Sequence, residues 1–168
     1  MPILRFSSSA NDRAVSPYSR AVLLDVLTAS GNPDALVTSV TRTPEELARI
    51  MFDNIGARGV EQQRRLYGPM GDRVIGVYEE GRARGLSGQD IKAAMVAKIL
   101  ELGPYNVSHH CGDPSVLCVV DLAPTSLRNP TAFARACVAE LGKRISKLEK
   151  PPDDPAFHLE IPQPVVRS

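Results

Sequence analysis

The sequence contains three histidines, and each stands beside a segment with the pattern of regular structure. His109 and His110 lie in a loop just before an apolar run of strand length that contains Asp121, and His158 lies in the last predicted strand. One bend of a sheet could bring two imidazoles and this carboxylate together. Three such ligands leave the fourth position of a tetrahedral zinc ion for water, as in catalytic rather than structural sites. The residue types therefore fit a catalytic zinc site as one interpretation.

Asp121 is the residue that favours this interpretation most. An isolated carboxylate in an apolar strand is costly unless it is paired or bound to a metal ion. The alternative is a set of histidines satisfied by hydrogen bonds, with Asp121 paired to an arginine. Residue types and spacing leave both interpretations open.

The elements that must position these residues follow from periodicity and capping signals. Thr43 and Glu46 form the pattern of a capping box, which predicts the start of a helix. The strands are predicted from short β-branched or apolar runs bounded by turn residues. We expect helices at 16–30, from 43, in pieces over 59–102 and at 129–146, strands at 35–40, 117–122 and 156–161, and a polar loop at 147–155.

The length of 168 residues is close to that of one domain, and we expect a flexible arm over 1–15 followed by a single domain over 16–168. The predicted fold class is α+β, a small and mostly antiparallel sheet with helices on one face, a zinc cleft on the other and a helical insert in the middle. A net charge of +1 and 5% aromatic residues argue against a nucleic-acid partner. No apolar run is long enough for a transmembrane segment.

Three segments resemble the zinc-dependent D-alanyl-D-alanine peptidases of the hedgehog-type fold. They are Ser108-His109-His110-Cys111-Gly112, Val119-Val120-Asp121-Leu122 and Phe157-His158-Leu159-Glu160. These enzymes carry a Ser-x-His element, an Asp on the next strand and a late aromatic-His element. The resemblance implies Zn²⁺ as cofactor, with His110, Asp121 and His158 as its ligands.

The resemblance continues upstream in the segment from Thr38 to Glu46, which is similar to a family strand that ends in Ser-Gly-Tyr-Arg-Thr. It implies that Arg42 polarises the scissile carbonyl and stabilises the oxyanion that develops there. We also expect Ser108 and Tyr105 to line the substrate cleft.

Two features differ from the family pattern. The family spaces its His and Asp seven residues apart, whereas His110 and Asp121 are eleven apart, so Asp113 is an alternative ligand. We favour Asp121, because Asp113 precedes Pro114 and is typical of an ordinary turn.

The second difference concerns the general base. The family has a carboxylate three residues before the last His, where this chain has Pro155. Asp154 is the first candidate for the base, Glu160 the second and Asp153 the third. Glu160 could also hold water or orient a ligand, since it lies on the same strand face as His158.

The three cysteines are expected to be free thiols. Cys118 and Cys137 fit packing roles in a core strand and a core helix. Cys111 could instead be a soft zinc ligand, or a nucleophile paired with His109 or His158.

The implied function is that of a zinc peptidase acting on peptidoglycan stem peptides or a D-Ala-D-Ala-like peptide. The first residues lack the apolar stretch of a signal peptide, so we expect synthesis in the cytoplasm and action in the periplasm or on the cell wall after delivery. A phage lysis enzyme released with a holin and an antibacterial effector carried by a secretion system both fit. The alternative is a zinc-binding hedgehog-like interaction module without catalysis.

Overall fold

The structure is a computed structural model, which describes residues 1–165. Within this part of the chain, seven α-helices and five β-strands form an α+β fold with an open mixed sheet. The strands are β1 (Ile3–Phe6), β2 (Asp34–Val40), β3 (Leu117–Leu122), β4 (Lys147–Glu149) and β5 (Phe157–Pro162). The helices are α1 (Pro17–Ala29), α2 (Pro44–Arg58), α3 (Val60–Leu66), α4 (Pro69–Ala83), α5 (Gly88–Leu102), α6 (Pro104–Val107) and α7 (Pro130–Glu140).

The five strands lie in the order β1-β2-β3-β5-β4. The β1–β2 pair is parallel, and the other three pairs are antiparallel. The predicted fold class, α+β with a mostly antiparallel sheet, is therefore confirmed. Strand β5 lies between β3 and β4, so each of its residues has a cross-strand neighbour on one or both sides.

The chain folds into two compact units. The first, which we call the sheet unit, consists of Met1–Thr41 and residues 113–165 and contains all five strands. The second, which we call the helical unit, is Arg42–Gly112 and contains α2 to α6.

The core of the sheet unit lies between one face of the sheet and the helices α1 and α7. Because side chains alternate along a strand, every second residue of β3 and β5 enters this core. Phe133 of α7 packs edge-to-face on Phe157 of β5, with ring centroids 5.1 Å apart. The residues of this inner face in β3 and β5 are Cys118, Val120, Leu122, Phe157, Leu159 and Ile161.

The helical unit has a core of its own, formed mainly by α2, α4 and α5. Helix α2 begins with the predicted capping box, in which Thr43 accepts from the Glu46 N–H and Glu46 accepts from the Thr43 N–H. This reciprocal cap fixes the point at which the chain leaves Arg42 and becomes helical. Along residues 1–165, no helix combines the length and apolar character needed to cross a membrane.

Three local predictions were wrong. Ile3–Phe6, inside the segment expected to be a flexible arm, form β1. The polar loop expected at 147–155 begins with β4, which pairs with β5. The helix expected to continue to Ser146 ends at Glu140, and Gly142 has a φ of 74°, a left-handed conformation that does not continue an α-helix.

Candidate metal centre

The candidate metal centre lies on the outer face of the sheet, opposite the face that packs on α1 and α7. Alternation along β3 and β5 places Asp121, His158 and Glu160 on this face, between the core residues of the same strands. His158 is 3% exposed and Glu160 is 5% exposed, so both polar side chains are nearly removed from water. Buried polar groups of this kind require partners within the protein.

The first partner of His158 is Asp121. The antiparallel register of β3 and β5 places these two residues directly opposite each other. The His158 Nδ1 atom lies 3.0 Å from the Asp121 Oδ1 atom. The sheet thus brings together two of the three residues that the resemblance implies as metal ligands.

The second partner of His158 is Glu160, two residues further along the same strand. The His158 Nε2 atom lies 3.3 Å from the Glu160 Oε1 atom. Each ring nitrogen of His158 therefore faces a carboxylate, and the ring is held between two hydrogen bonds.

Strand β4 adds two residues that the sequence analysis missed, Lys147 and Glu149. Glu149 is the cross-strand neighbour of His158, and Lys147 is that of Glu160. The Lys147 Nζ atom lies 3.1 Å from Glu149 Oε1 and 4.0 Å from Glu160 Oε1. The alternation of Lys147, Leu148 and Glu149 is the one signal in the sequence for this strand, and three residues are too few to distinguish it from a loop.

The charges around His158 favour a cation. Burial lowers the pKa of His158, but the hydrogen bond and charge of Asp121, with smaller contributions from Glu160 and Glu149, raise that pKa above its ordinary value. Three carboxylates and one ammonium group share this face of the sheet, so their sum is negative. Glu160 and His158 are buried here, whereas Lys147 and Glu149 are partly exposed. A negative site beside buried groups attracts a proton or a metal ion.

The geometry of the outer face fits a metal ion. Carboxylate atoms of Asp121 and of Glu149 each lie within 4.8 Å of a ring nitrogen of His158, so histidine and carboxylate groups here could hold a metal ion. Two zinc ligands at ordinary bond lengths in a tetrahedral site are about 3.3 Å apart. The 3.0 Å between Asp121 and His158 needs only a small adjustment to reach that separation.

Arg42 and His110 both lie in the helical unit, beside an isolated β-bridge that joins Arg42 and Cys111. The Arg42 N–H donates to the His110 carbonyl oxygen at 2.6 Å, and the Gly112 N–H donates to the Arg42 carbonyl oxygen at 3.2 Å. The Ser108 Oγ atom accepts from the His110 N–H at 3.3 Å. Three residues that the resemblance selects are therefore tied together through their main chains and the Ser108 hydroxyl.

The aromatic ring of Tyr105 stacks on His109, with centroids 4.6 Å apart and an interplanar angle of 11°. Both residues are exposed in the helical unit.

The structure argues against a nucleophilic role for Cys111. Its side chain is 1% exposed, and burial together with the carboxylates of Glu45 and Glu46 raises the pKa of the thiol to about 12. The thiolate is the nucleophile, and at neutral pH few of these thiols are ionised at such a pKa. Cys118 and Cys137 are buried in the core of the sheet unit, in agreement with the predicted packing roles.

The other candidate carboxylates lie in turns. Asp113 is exposed and accepts from the Ser115 N–H and hydroxyl at 2.8 and 2.6 Å, which lowers the pKa of its carboxyl. Asp154 accepts from the Ala156 N–H at 2.7 Å in the loop that leads into β5. Asp153 is exposed in the same loop. Asp113 thus has the turn role expected of it, and Asp121 remains the favoured ligand.

Comparisons with known proteins do not identify the chain: no family model, curated protein or solved structure matches it.

Proposed function

We propose that this protein is a zinc-dependent peptidase that hydrolyses a peptide bond in peptidoglycan stem peptides, as a D-Ala-type carboxypeptidase or endopeptidase. The single observation that supports it most is the pair formed by Asp121 and His158 on neighbouring strands, 3.0 Å apart, in which the His158 side chain is buried. The resemblance assigns the same two residues to a zinc ion. The third ligand in this proposal is His110, which the resemblance selects through the Ser108-x-His110 element.

Zinc would supply a water molecule with a pKa near about 7 and a Lewis acid for the substrate carbonyl. The chain must then provide the remaining parts of the reaction. Arg42 donates hydrogen bonds to the oxygen of the scissile carbonyl as negative charge develops there. Its position between a backbone bridge and the capped start of α2 restricts its movement.

We assign different roles to the two carboxylates near His158 in the sequence, Asp154 and Glu160. Asp154 takes the proton from water and returns it to the leaving amine, which is the usual double role of a general base. Glu160 faces His158, so we assign it to the imidazole ring rather than to the substrate. Ser108 and Tyr105 contact the peptide beside the reacting bond.

The proposal also requires that the protein reaches its substrate. A stem peptide lies outside the cytoplasm, so the protein would act in the periplasm or on the cell wall, released with a holin or carried by a secretion system. These partners follow from the substrate and not from any contact in the structure.

The direct test is hydrolysis of purified muropeptides by the zinc-loaded protein, followed by mass spectrometry of the products. The proposal predicts cleavage that stops when zinc is removed and returns when it is added. Arg42→Ala should lower kcat by about 10²- to 10³-fold, the usual effect of removing an oxyanion donor, with zinc content unchanged. The matched control is Arg49→Ala, which removes an exposed arginine of α2.

Three results would decide against this function. Cleavage that persists without zinc would contradict the role of the metal. Equal kcat values for Arg42→Ala and Arg49→Ala would contradict the role of Arg42. Zinc-loaded protein that cleaves no muropeptide would favour the non-catalytic zinc-binding module.

A further inference from the structure

Strand β4 is an edge strand of three residues, and its two outward side chains stand beside the two polar residues of β5. Glu149 is opposite His158, and Lys147 is opposite Glu160, while Leu148 packs against the core of the sheet unit. Cross-strand neighbours on one face have Cβ atoms about 5 Å apart, within reach of an ion pair. This strand therefore adds one cation to a face that otherwise carries carboxylates and a histidine.

The orientation of His158 decides which ring nitrogen can bind a metal ion. Nδ1 faces Asp121, the other ligand on the sheet, whereas Nε2 faces Glu160. A metal ion shared by Asp121 and His158 thus requires Nδ1 without its proton and Nε2 with it. Histidines that bind metals usually donate the other ring N–H to a carboxylate, which fixes both the tautomer and the ring.

Glu160 can act as that carboxylate only if it is itself held in place. It is 5% exposed, so water makes few contacts with it. The Glu160 Oε1 atom lies 3.3 Å from His158 Nε2 and 4.0 Å from Lys147 Nζ. The imidazole is within hydrogen-bond distance of this oxygen, whereas Lys147, whose closer ion pair is with Glu149 at 3.1 Å, contributes its charge from 4.0 Å.

We propose that Lys147 and Glu160 are positioning residues for His158: Lys147 holds the Glu160 carboxylate, which keeps the proton on Nε2 and directs Nδ1 towards a metal ion. This inference rests on the metal site of the proposed function, but it does not depend on the peptidase reaction. It gives β4 a function in metal binding, although neither of its outward side chains is a ligand in this arrangement.

The test is the zinc affinity of the full chain, measured by competition with a chelator. Glu160→Gln should weaken zinc binding by about 10- to 100-fold, the usual effect of losing the carboxylate behind a ligating histidine. Lys147→Met should weaken it in the same direction and by at least about threefold, because it acts through Glu160. Lys147→Arg should restore most of the affinity, since it keeps the cation. Lys150→Met, which removes an exposed lysine just beyond β4, should have no effect.

A second measurement separates a positioning role from general damage to the fold. In zinc-loaded protein labelled with ¹⁵N, His158 should show a metal-bound Nδ1 and a protonated Nε2. The Nε2 proton should exchange faster with water in Lys147→Met than in the wild type or in Lys150→Met.

The possible outcomes are distinct. Equal zinc affinity for Lys147→Met and Lys150→Met would overturn the inference, and so would zinc bound to Nε2. A wild-type protein that takes up no zinc would overturn it together with the metal site. Zinc affinity that depends on Lys147 in a protein that cleaves no muropeptide would support the positioning pair and contradict the peptidase.

Discussion

The two faces of β3 and β5 are built from alternate residues of the same strands, yet they differ completely in chemistry. The inner face packs on α1 and α7 with apolar side chains such as Val120 and Leu159. The outer face carries Asp121 and Glu160, each hydrogen-bonded to His158 between them. A slip of one residue in the register would exchange the two faces. The inner face therefore fixes the register, and the register brings Asp121 opposite His158.

The largest expected effect on stability comes from the inner face. Leu159→Ala should lower the free energy of unfolding by about 2–5 kcal/mol, because it leaves a cavity at a position with no exposure. Glu149→Ala on the outer face removes a charge that is partly exposed, so it should change the free energy of unfolding by less than about 1 kcal/mol. Denaturant unfolding of both variants measures the contrast. Similar losses of stability in the two variants would contradict the view that the inner face, and not the outer face, stabilises the fold.

The next prediction tests whether catalysis needs Asp154, which lies in the loop before β5, in addition to the residues of the outer face. Asp154→Asn should keep zinc and stability, since the amide oxygen can still accept from the Ala156 N–H. Muropeptide turnover should fall by about 10²-fold or more, as expected when a general base is removed. The comparison variant is Asp153→Asn, at the third candidate for the base, which should retain turnover when Asp154 is the proton acceptor. If Asp154→Asn is as active as the wild type, the proton acceptor is another residue.

The last effect concerns a thiol that packs behind the inner face, and it is confined to alkaline pH. Burial raises the pKa of Cys137, in α7, to about 12. In the unfolded chain this thiol ionises near pH 8.5. Between about pH 9 and pH 12 the unfolded chain therefore binds fewer protons than the folded one, and stability falls as pH rises.

The contribution of Cys137 to the slope of the free energy of unfolding against pH can be measured with one variant. Cys137→Ala should reduce the decline of the free energy of unfolding by up to about 1.4 kcal/mol per pH unit above pH 9. Unfolding in urea at a series of pH values from about 7 to about 11 tests this. Parallel curves for the variant and the wild type would contradict the assigned burial effect.

Local signals in the sequence predicted most of the fold. The capping box of Thr43 and Glu46 marks the start of α2 as expected, and the helices expected from 16 and 129 begin with side-chain caps at Ser16 and Asn129. Ser87 caps α5 in the same way. These signals depend on residues within one turn of each other, which is why sequence alone suffices.

The elements that were missed depend on distant partners. Strand β1 has four residues and pairs with β2, about thirty residues away, and β4 has three residues with a single apolar side chain. Neither is long enough to show a period of its own, so cross-strand pairing decides the structure.

The candidate site shows the same difference between residues that local signals predict and residues that only distant pairing places. Asp121 could be selected from the sequence because a carboxylate interrupts an apolar strand, and His158 because it lies in a second strand. Lys147 and Glu149 could not, since only their pairing with β5 brings them beside Glu160 and His158.

The central claim is that the outer face of the sheet holds zinc through Asp121 and His158. Zinc content per chain, measured after saturation and removal of free metal, tests it most directly. We predict close to one zinc for the wild type and for His109→Ala, and little zinc for His158→Ala and His110→Ala. Full zinc in folded His158→Ala would contradict the account.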